Sequence, residues 1–377
     1  MINKVYSVFL TLLLLLSVLP GLSGCSKRYD PPLYQQVPTS SASQNTPSSP
    51  SPEVNAYTSI PEDTLSPTPE ADSIIPVVTP TDTPAPNDRD NSGDTKRSIV
   101  TQEVFMALTS PDLKGRVIGT DGGRAAQGII SDLYSNLSLE PYHEEFRNPV
   151  YFYQAPGTET SKVLDTGKQA PDGYNIVGVI SGEDDKECLV LSAHFDGVDH
   201  GTAALDNAGG VYALLKTAEK LTHYNKDRKL SRDIVIAAFD GEEPGLIGSS
   251  NFVDDIINRY EKAFVINLDC VGIKDSDSYI VTGNQAQFGK FIDSLYDQLA
   301  AYDFITVPVD GFYASDHLSF EYQGIPAVTI GESKVDGIAH TVNDVAEKVD
   351  INEIERLSEA LLNYILEDSD ILYDEAP

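Results

Sequence analysis

From about Ser98 onward, short apolar runs alternate with longer stretches in which apolar residues recur every three or four positions. The runs YNIVGVISG, CLVLSAHFD, DIVIAAFD, AFVINLDCVG and PAVTI are β-branched-rich and too short for helices, so they predict strands. Between them, NAGGVYALLKTAEKLTHY, NFVDDIINRY, FGKFIDSLYDQLAAY and INEIERLSEALLNYILED carry the period of helices that bury one face. Two more helices are expected before the first strand. SIVTQEVFMALTS should start from a serine cap, and GRAAQGIISDLYSNL is amphipathic. Strands apolar on both faces, alternating with helices, predict an α/β fold with a mostly parallel central sheet and helices on both sides. Residues 97–377 are enough for one large domain.

Upstream, that periodicity disappears. Residues 31–96 hold 13 of the 23 prolines, mixed with Ser, Thr, Asp and Glu, as in LSPTPEAD and VVTPTDTPAPNDRD. Such a segment buries too little apolar surface to offset its chain entropy, so 25–96 is read as a disordered tether. Residues 1–24 have a short start containing Lys4, an apolar stretch to about Leu19, and then small residues, which is the layout of a secretory signal. The apolar stretch is short for the ~20 residues that span a bilayer. Its end, Leu22-Ser23-Gly24-Cys25, resembles the bacterial lipobox. That resemblance implies cleavage before Cys25, lipid on its sulfur, and a domain held on the membrane outside the cytoplasm.

Composition narrows the partners. The formal net charge is −32. A polyanion repels nucleic acid and anionic membrane surfaces, so neither is expected as a partner of the domain itself. Cys188 and Cys270 lie in apolar runs and are expected to be buried thiols. Their spacing leaves a disulfide open.

Several polar residues fall at the carboxyl ends of predicted strands, where open α/β sheets bind ligands. CLVLSA runs into His194 and Asp196, DIVIAAF into Asp240, Glu242 and Glu243, and FVINL into Asp269. Asp206 opens the next helical pattern, and His340 precedes the last one. Imidazole and carboxylate donors together favour a divalent transition metal, zinc first, with manganese or cobalt as alternatives. Asp206, Glu243 and Asp269 bring three negative charges and His194 and His340 neutral nitrogens. Two Zn²⁺ with a bridging hydroxide make that set neutral, whereas one ion leaves it over-anionic.

The segments HFDG, LDNAGG, DGEEPGLIGS, INLDCVG, SDHLSF with GIPAV, and HTVND, in this order, resemble the co-catalytic zinc exopeptidases. That group includes secreted bacterial leucyl aminopeptidases, glutamate carboxypeptidase-type enzymes and, more distantly, glutaminyl cyclases. The similarity runs from about Val104 to Tyr364 and implies the group's α/β/α sandwich. It also implies one metal on His194 and Asp269, a second on Glu243 and His340, and Asp206 bridging both. Glu242 would be the general base acting on a peptide substrate, and Asp196 would orient His194 from behind. Asp344 would do the same for His340, Asn207 would brace the Asp206 turn, and Asp316 and His317 would lie on the pocket wall. His143, His200 and His223 match no motif and are expected at the surface, and Asp240 is expected to cap a turn. The sequence departs from several aminopeptidases of the group in carrying Ala339 where a tyrosine precedes the last histidine. An aminopeptidase is the leading expectation. The alternatives are a glutaminyl cyclase, which usually has Asp-Ser at Asp206-Asn207 and an insertion after the paired glutamates, and a non-catalytic peptide-binding lipoprotein.

Overall fold

The computed structural model describes residues 98–152, 170–276, 278–309 and 313–367. The signal segment, Cys25 and the tether lie outside the described residues. A nine-stranded sheet organises the domain. Its strands are β1 (Glu140–Pro141), β2 (Arg147–Val150), β3 (Gly173–Ile180), β4 (Asp184–His194), β5 (Arg232–Phe239), β6 (Lys262–Leu268), β7 (Ser278–Gly283), β8 (Ile305–Thr306) and β9 (Ala327–Glu332). The spatial order is β1-β3-β5-β4-β6-β9-β7-β8, with β2 also paired to β3. The four central strands β5, β4, β6 and β9 run parallel. The flanks turn antiparallel, at β3 against β5 and at β7 against β9.

The helices are α1 (Gln102–Leu108), α2 (Asp121–Asn136), α3 (Gly210–Asp227), α4 (Ile247–Arg259), α5 (Gln285–Ala301), α6 (His317–Glu321) and α7 (Ile351–Glu367). Side-chain alternation along β4 shows how they divide. Leu189, Leu191 and Ala193 join the core under α2, α3, α5 and α7, while Cys188 and Val190 join the opposite core with Phe252 and Ile256 of α4. Both faces of the central strands are therefore buried, which is why these strands read as continuous apolar runs. Among the described residues no helix is long and apolar enough to cross a membrane.

Three local expectations are corrected. Helix α1 starts after Thr101 without a side-chain cap. Ser98 instead donates its hydroxyl to Val100 O and to Glu219. Asp240 caps no turn. It is fully buried, and its Oδ2 accepts from Tyr174 N and Gln127 Nε2, both at 3.0 Å, tying β5 to β3 and α2. Cys188 and Cys270, by contrast, are free and buried as expected. His143 and His200 are exposed, whereas His223 is half-buried.

Two glycine positions let the chain bring distant segments together. At Gly210, the first residue of α3, a Cβ would lie 2.5 Å from Leu268 O and 2.2 Å from Asn207 Oδ1. Only a residue without a side chain lets the start of α3 press against the end of β6. Gly241 has φ +78° and turns the chain sharply after β5, so the paired glutamates fold back over the strand ends.

Candidate metal centre

The carboxyl ends of β4, β5 and β6 deliver His194, the Glu242–Glu243 pair and Asp269 to one place. The turn before α3 adds Asp206, and the loop before α7 adds His340. His194 Nε2 is 3.3 Å from Asp206 Oδ1 and 3.6 Å from Asp269 Oδ1. His340 Nε2 is 3.0 Å from Asp206 Oδ2 and 2.9 Å from Glu243 Oε2. Asp206 thus turns one oxygen to each imidazole and stands between two donor sets.

His194 has its proton placed by the backbone. Its Nδ1 lies 3.0 Å from Asp196 O, and a carbonyl can only accept, so Nδ1 carries the hydrogen. Nε2 then faces two carboxylate oxygens and is the ring atom left to offer a lone pair to an ion. It has no hydrogen-bond partner, and neither do the buried Asp269 Oδ1 and Glu243 Oε1. Buried polar atoms are rarely left so. The donor atoms of His194, Glu242 and Asp269 lie within 4.8 Å of one another, as do those of Asp206, Glu243 and His340. Nitrogen and carboxylate donors converging in this way suit zinc.

The acid–base shifts point the same way. Burial works against a charged His194, but Glu242 and the neighbouring carboxylates hold its pKa well above the usual range. The Asp206 and Glu243 carboxylates push His340 up to about 11. Burial alone would raise Asp206, yet the two imidazoles hold it well below the ordinary carboxylate range. Glu242 is driven well upward by burial, then by Asp316, Asp269 and Asp196, with His194 opposing. Such an acid cluster calls for added positive charge.

The supporting residues are arranged partly in unexpected ways. The Asp196 carboxylate is 3.7 Å from His194 Nδ1, beyond a hydrogen bond. It instead accepts the amide N–H groups of Glu242 at 3.0 Å and Glu243 at 3.3 Å, one on each oxygen. Asp344 does not reach for His340. Its two oxygens take the amides of Leu205 at 2.6 Å and Asp206 at 3.1 Å. Asn207 is fully buried, donates to Leu268 O at 2.8 Å, and accepts from Gly210 N and Cys270 N. It thereby splices the Asp206 turn to the end of β6, and the Asp206–Asn207 peptide is cis.

Asp316 is fully buried with neither oxygen hydrogen-bonded, and burial raises it to about 7. His317 faces Thr329 Oγ1 through Nδ1 at 2.8 Å, and burial lowers it to about 4. It also lines a cavity of about 530 Å³ together with Tyr313, Tyr296 and Glu321. Ala339 is half-buried beside His340, whose side chain is 60% exposed and marks the open side of the centre.

Three contributors carried little sequence signal. Ser315 donates to Asp269 Oδ2 at 2.7 Å and accepts from Asn267 Nδ2 at 2.8 Å, fixing the Asp269 carboxylate. The Tyr313 hydroxyl reaches Asp269 O at 3.4 Å. The Cys270 thiol groups with Asp206 and Asp269. Ser315 opens the SDH motif, Tyr313 lies just ahead of it and Cys270 follows Asp269, but their partners lie 44 and more residues away or across a turn.

The model of Peptidase family M28 matches residues 175–365. Among curated proteins, Aminopeptidase YwaD of Bacillus subtilis is 28% identical over 199 residues, covering 49% of this chain and 42% of that protein. The Glutamate carboxypeptidase 2 homolog of Caenorhabditis elegans is 35% identical over 100 residues, covering 26% of this chain and 13% of that protein. The chain therefore spans less than half the length of these curated relatives. Among solved structures, the zinc aminopeptidase BSAP from Bacillus subtilis superposes with a TM-score of 0.54 at 15% identity, covering 73% of this chain and 97% of that one. LapB from Legionella pneumophila gives 0.56 at 20% identity, covering 71% of each chain. At these identities the likeness is one of fold.

Proposed function

Because the chain belongs to peptidase family M28, we propose that it is a zinc-dependent aminopeptidase that removes the first residue of peptides. One observation supports this most: Asp206 stands between two His–carboxylate donor sets, with Glu242 beside them. His194 and Asp269 would hold one ion, Glu243 and His340 the other, with Asp206 shared.

The chemistry that a zinc pair supplies is Lewis acidity toward the scissile carbonyl and toward water. The chain's own residues do the rest. A Glu242 carboxylate oxygen takes the proton from the attacking water and returns it to the departing amine. Asp196 holds the Glu242 and Glu243 amides, so base and ligand keep their relative places. Ser315 fixes the Asp269 carboxylate, and Asn207 fixes the turn that carries Asp206. Acidic groups around the open His340 side suit the free α-ammonium of a peptide. With alanine at 339 the side chain there offers no hydroxyl to the substrate carbonyl.

The aminopeptidase resemblance of the curated relatives supports this reading, as does the lipobox-like Cys25 for a domain tethered outside the cytoplasm by lipid. The test is metal analysis of the purified full chain together with aminoacyl-p-nitroanilide hydrolysis. About two zinc per chain and chelator-sensitive turnover are expected. Protein without bound metal, inactive with added zinc or cobalt, would refute the proposal. Radiolabelled palmitate incorporation that disappears in Cys25→Ala checks the anchor, and equal labelling of both proteins would rule it out.

A further inference from the structure

Arg116 is fully buried and enters none of the steps above. Its guanidinium gives four hydrogen bonds, all to main-chain carbonyls. Nε donates to Phe195 O at 2.6 Å, Nη1 to Leu108 O at 2.7 Å and Thr202 O at 2.9 Å, and Nη2 to Ala203 O at 2.7 Å. Phe195 stands between His194 and Asp196. Thr202 and Ala203 stand just ahead of Asp206. One side chain thus clasps both ends of the loop that separates a terminal ligand from the shared one.

The backbone is bent to make this reach. Lys114, Gly115 and Arg116 all have positive φ, at 46°, 71° and 60°. A Cβ on Gly115 would sit 2.0 Å from Val198 O, so the bend presses directly on the same loop. Positive φ at two non-glycine residues is uncommon and is kept only where surroundings demand it. A charge buried without compensation is costly. Here the carbonyl dipoles and the neighbouring Asp344, Asp196, Asp206 and Glu243 charges compensate it.

We infer that Arg116 is a positioning residue that sets His194 and Asp206 at metal-binding separation before any ion arrives. It grips the carbonyls at 202 and 203 while Asp344 grips the amides at 205 and 206. The Asp206 segment is held from both sides by opposite charges. Arginine is required because its rigid fork offers five donors, whereas the lysine ammonium offers three from a single point.

This inference rests on the two-zinc reading, and the test separates the two. Zinc affinity is measured by chelator competition on the full chain as wild type, R116K, R116Q and Ile256→Ala. The last is a core change on the opposite face of the sheet and serves as a reference for general destabilisation. R116K is expected to lose zinc affinity about 10- to 100-fold, the range for residues that orient ligands. Ile256→Ala should stay within about threefold of wild type, even with a matching fall in the zinc-free melting temperature. Zinc affinity in R116K equal to wild type would overturn the inference alone. So would parallel losses in R116K and Ile256→Ala, or failure of both arginine variants to fold with and without zinc while Ile256→Ala folds. A wild-type chain that takes up no zinc overturns the reading of the centre and this inference with it.

Discussion

Asp196→Asn keeps the shape of the side chain and changes only what it can accept. In the wild type each carboxylate oxygen takes one amide hydrogen, from Glu242 at 3.0 Å and from Glu243 at 3.3 Å. An asparagine offers one carbonyl oxygen and one NH₂ group, so one amide loses its acceptor and faces a donor instead. A hydrogen bond to a charged acceptor is worth roughly 1.5–3 kcal/mol, and an orphaned buried donor costs a comparable amount. The combined loss is about 3–6 kcal/mol, and it falls on the turn that aims both glutamates. At about 1.4 kcal/mol per tenfold, turnover should fall by about 10²- to 10⁴-fold. The bond from His194 Nδ1 goes to the backbone carbonyl of residue 196, so it survives the substitution. On the proposed two-zinc reading, the ion on His194 and Asp269 should therefore stay, while the one held through Glu243 weakens. Steady-state kinetics on an aminoacyl-p-nitroanilide, with zinc counted by atomic absorption, reads both effects. Turnover within about threefold of wild type, with both zincs retained, would refute the claim that Asp196 holds the glutamates.

Further outcomes follow from the same geometry. Glu242→Gln should retain both zincs and lose roughly 10²- to 10⁴-fold in kcat, whereas Glu243→Gln should lose occupancy of one zinc; the reverse pattern would swap the two roles. Stripping zinc with a chelator should lower Tm, by an amount that grows with the zinc concentration of the reference sample, as ligand linkage requires. Burial disfavours the His317 imidazolium and lowers its pKa from the ordinary 6.5 to about 4. Its contribution is therefore full above about pH 6.5 and is lost as pH falls from there toward 4, since only the unfolded chain takes the proton in that window. Urea unfolding should show His317→Gln with a shallower loss over that range, by roughly 2–3 kcal/mol in total. Identical pH slopes in the two proteins would contradict the burial argument.

The sequence revealed best what depends on local period. β4, β5 and β6 are buried on both faces, so each is an uninterrupted apolar run, and the helices over them are long enough to show their stripe. β7 was missed because six residues ending in Thr282-Gly283 read equally well as loop, and α6 because five residues make hardly more than one turn. The antiparallel flanks were out of reach, since strand direction depends on the partner and not on the strand's own pattern. The same limit applies inside the centre. Donors at strand ends were visible as residue types in order. The bond from Asp344 to Leu205 crosses 139 residues, and nothing in HTVND distinguishes it from a bond to His340 nearby. Arg116 lies within the stretch that resembles the exopeptidases, but that resemblance gives it no role, and a charged residue in a glycine-containing turn looks like solvent-facing chain.

The pairing of Asp344 with residues 205 and 206 bears on how the molecule is made. A ribosome delivers His194 and Asp206 long before His340 and Asp344, and contacts this distant in sequence form late and slowly. Until synthesis passes residue 344 the Asp206 turn lacks one of its two grips and the second donor set lacks its histidine. On the proposed reading, hydrolytic capacity is thus tied to completion of the polypeptide, and a nascent or truncated chain would carry most of the donors but no working centre.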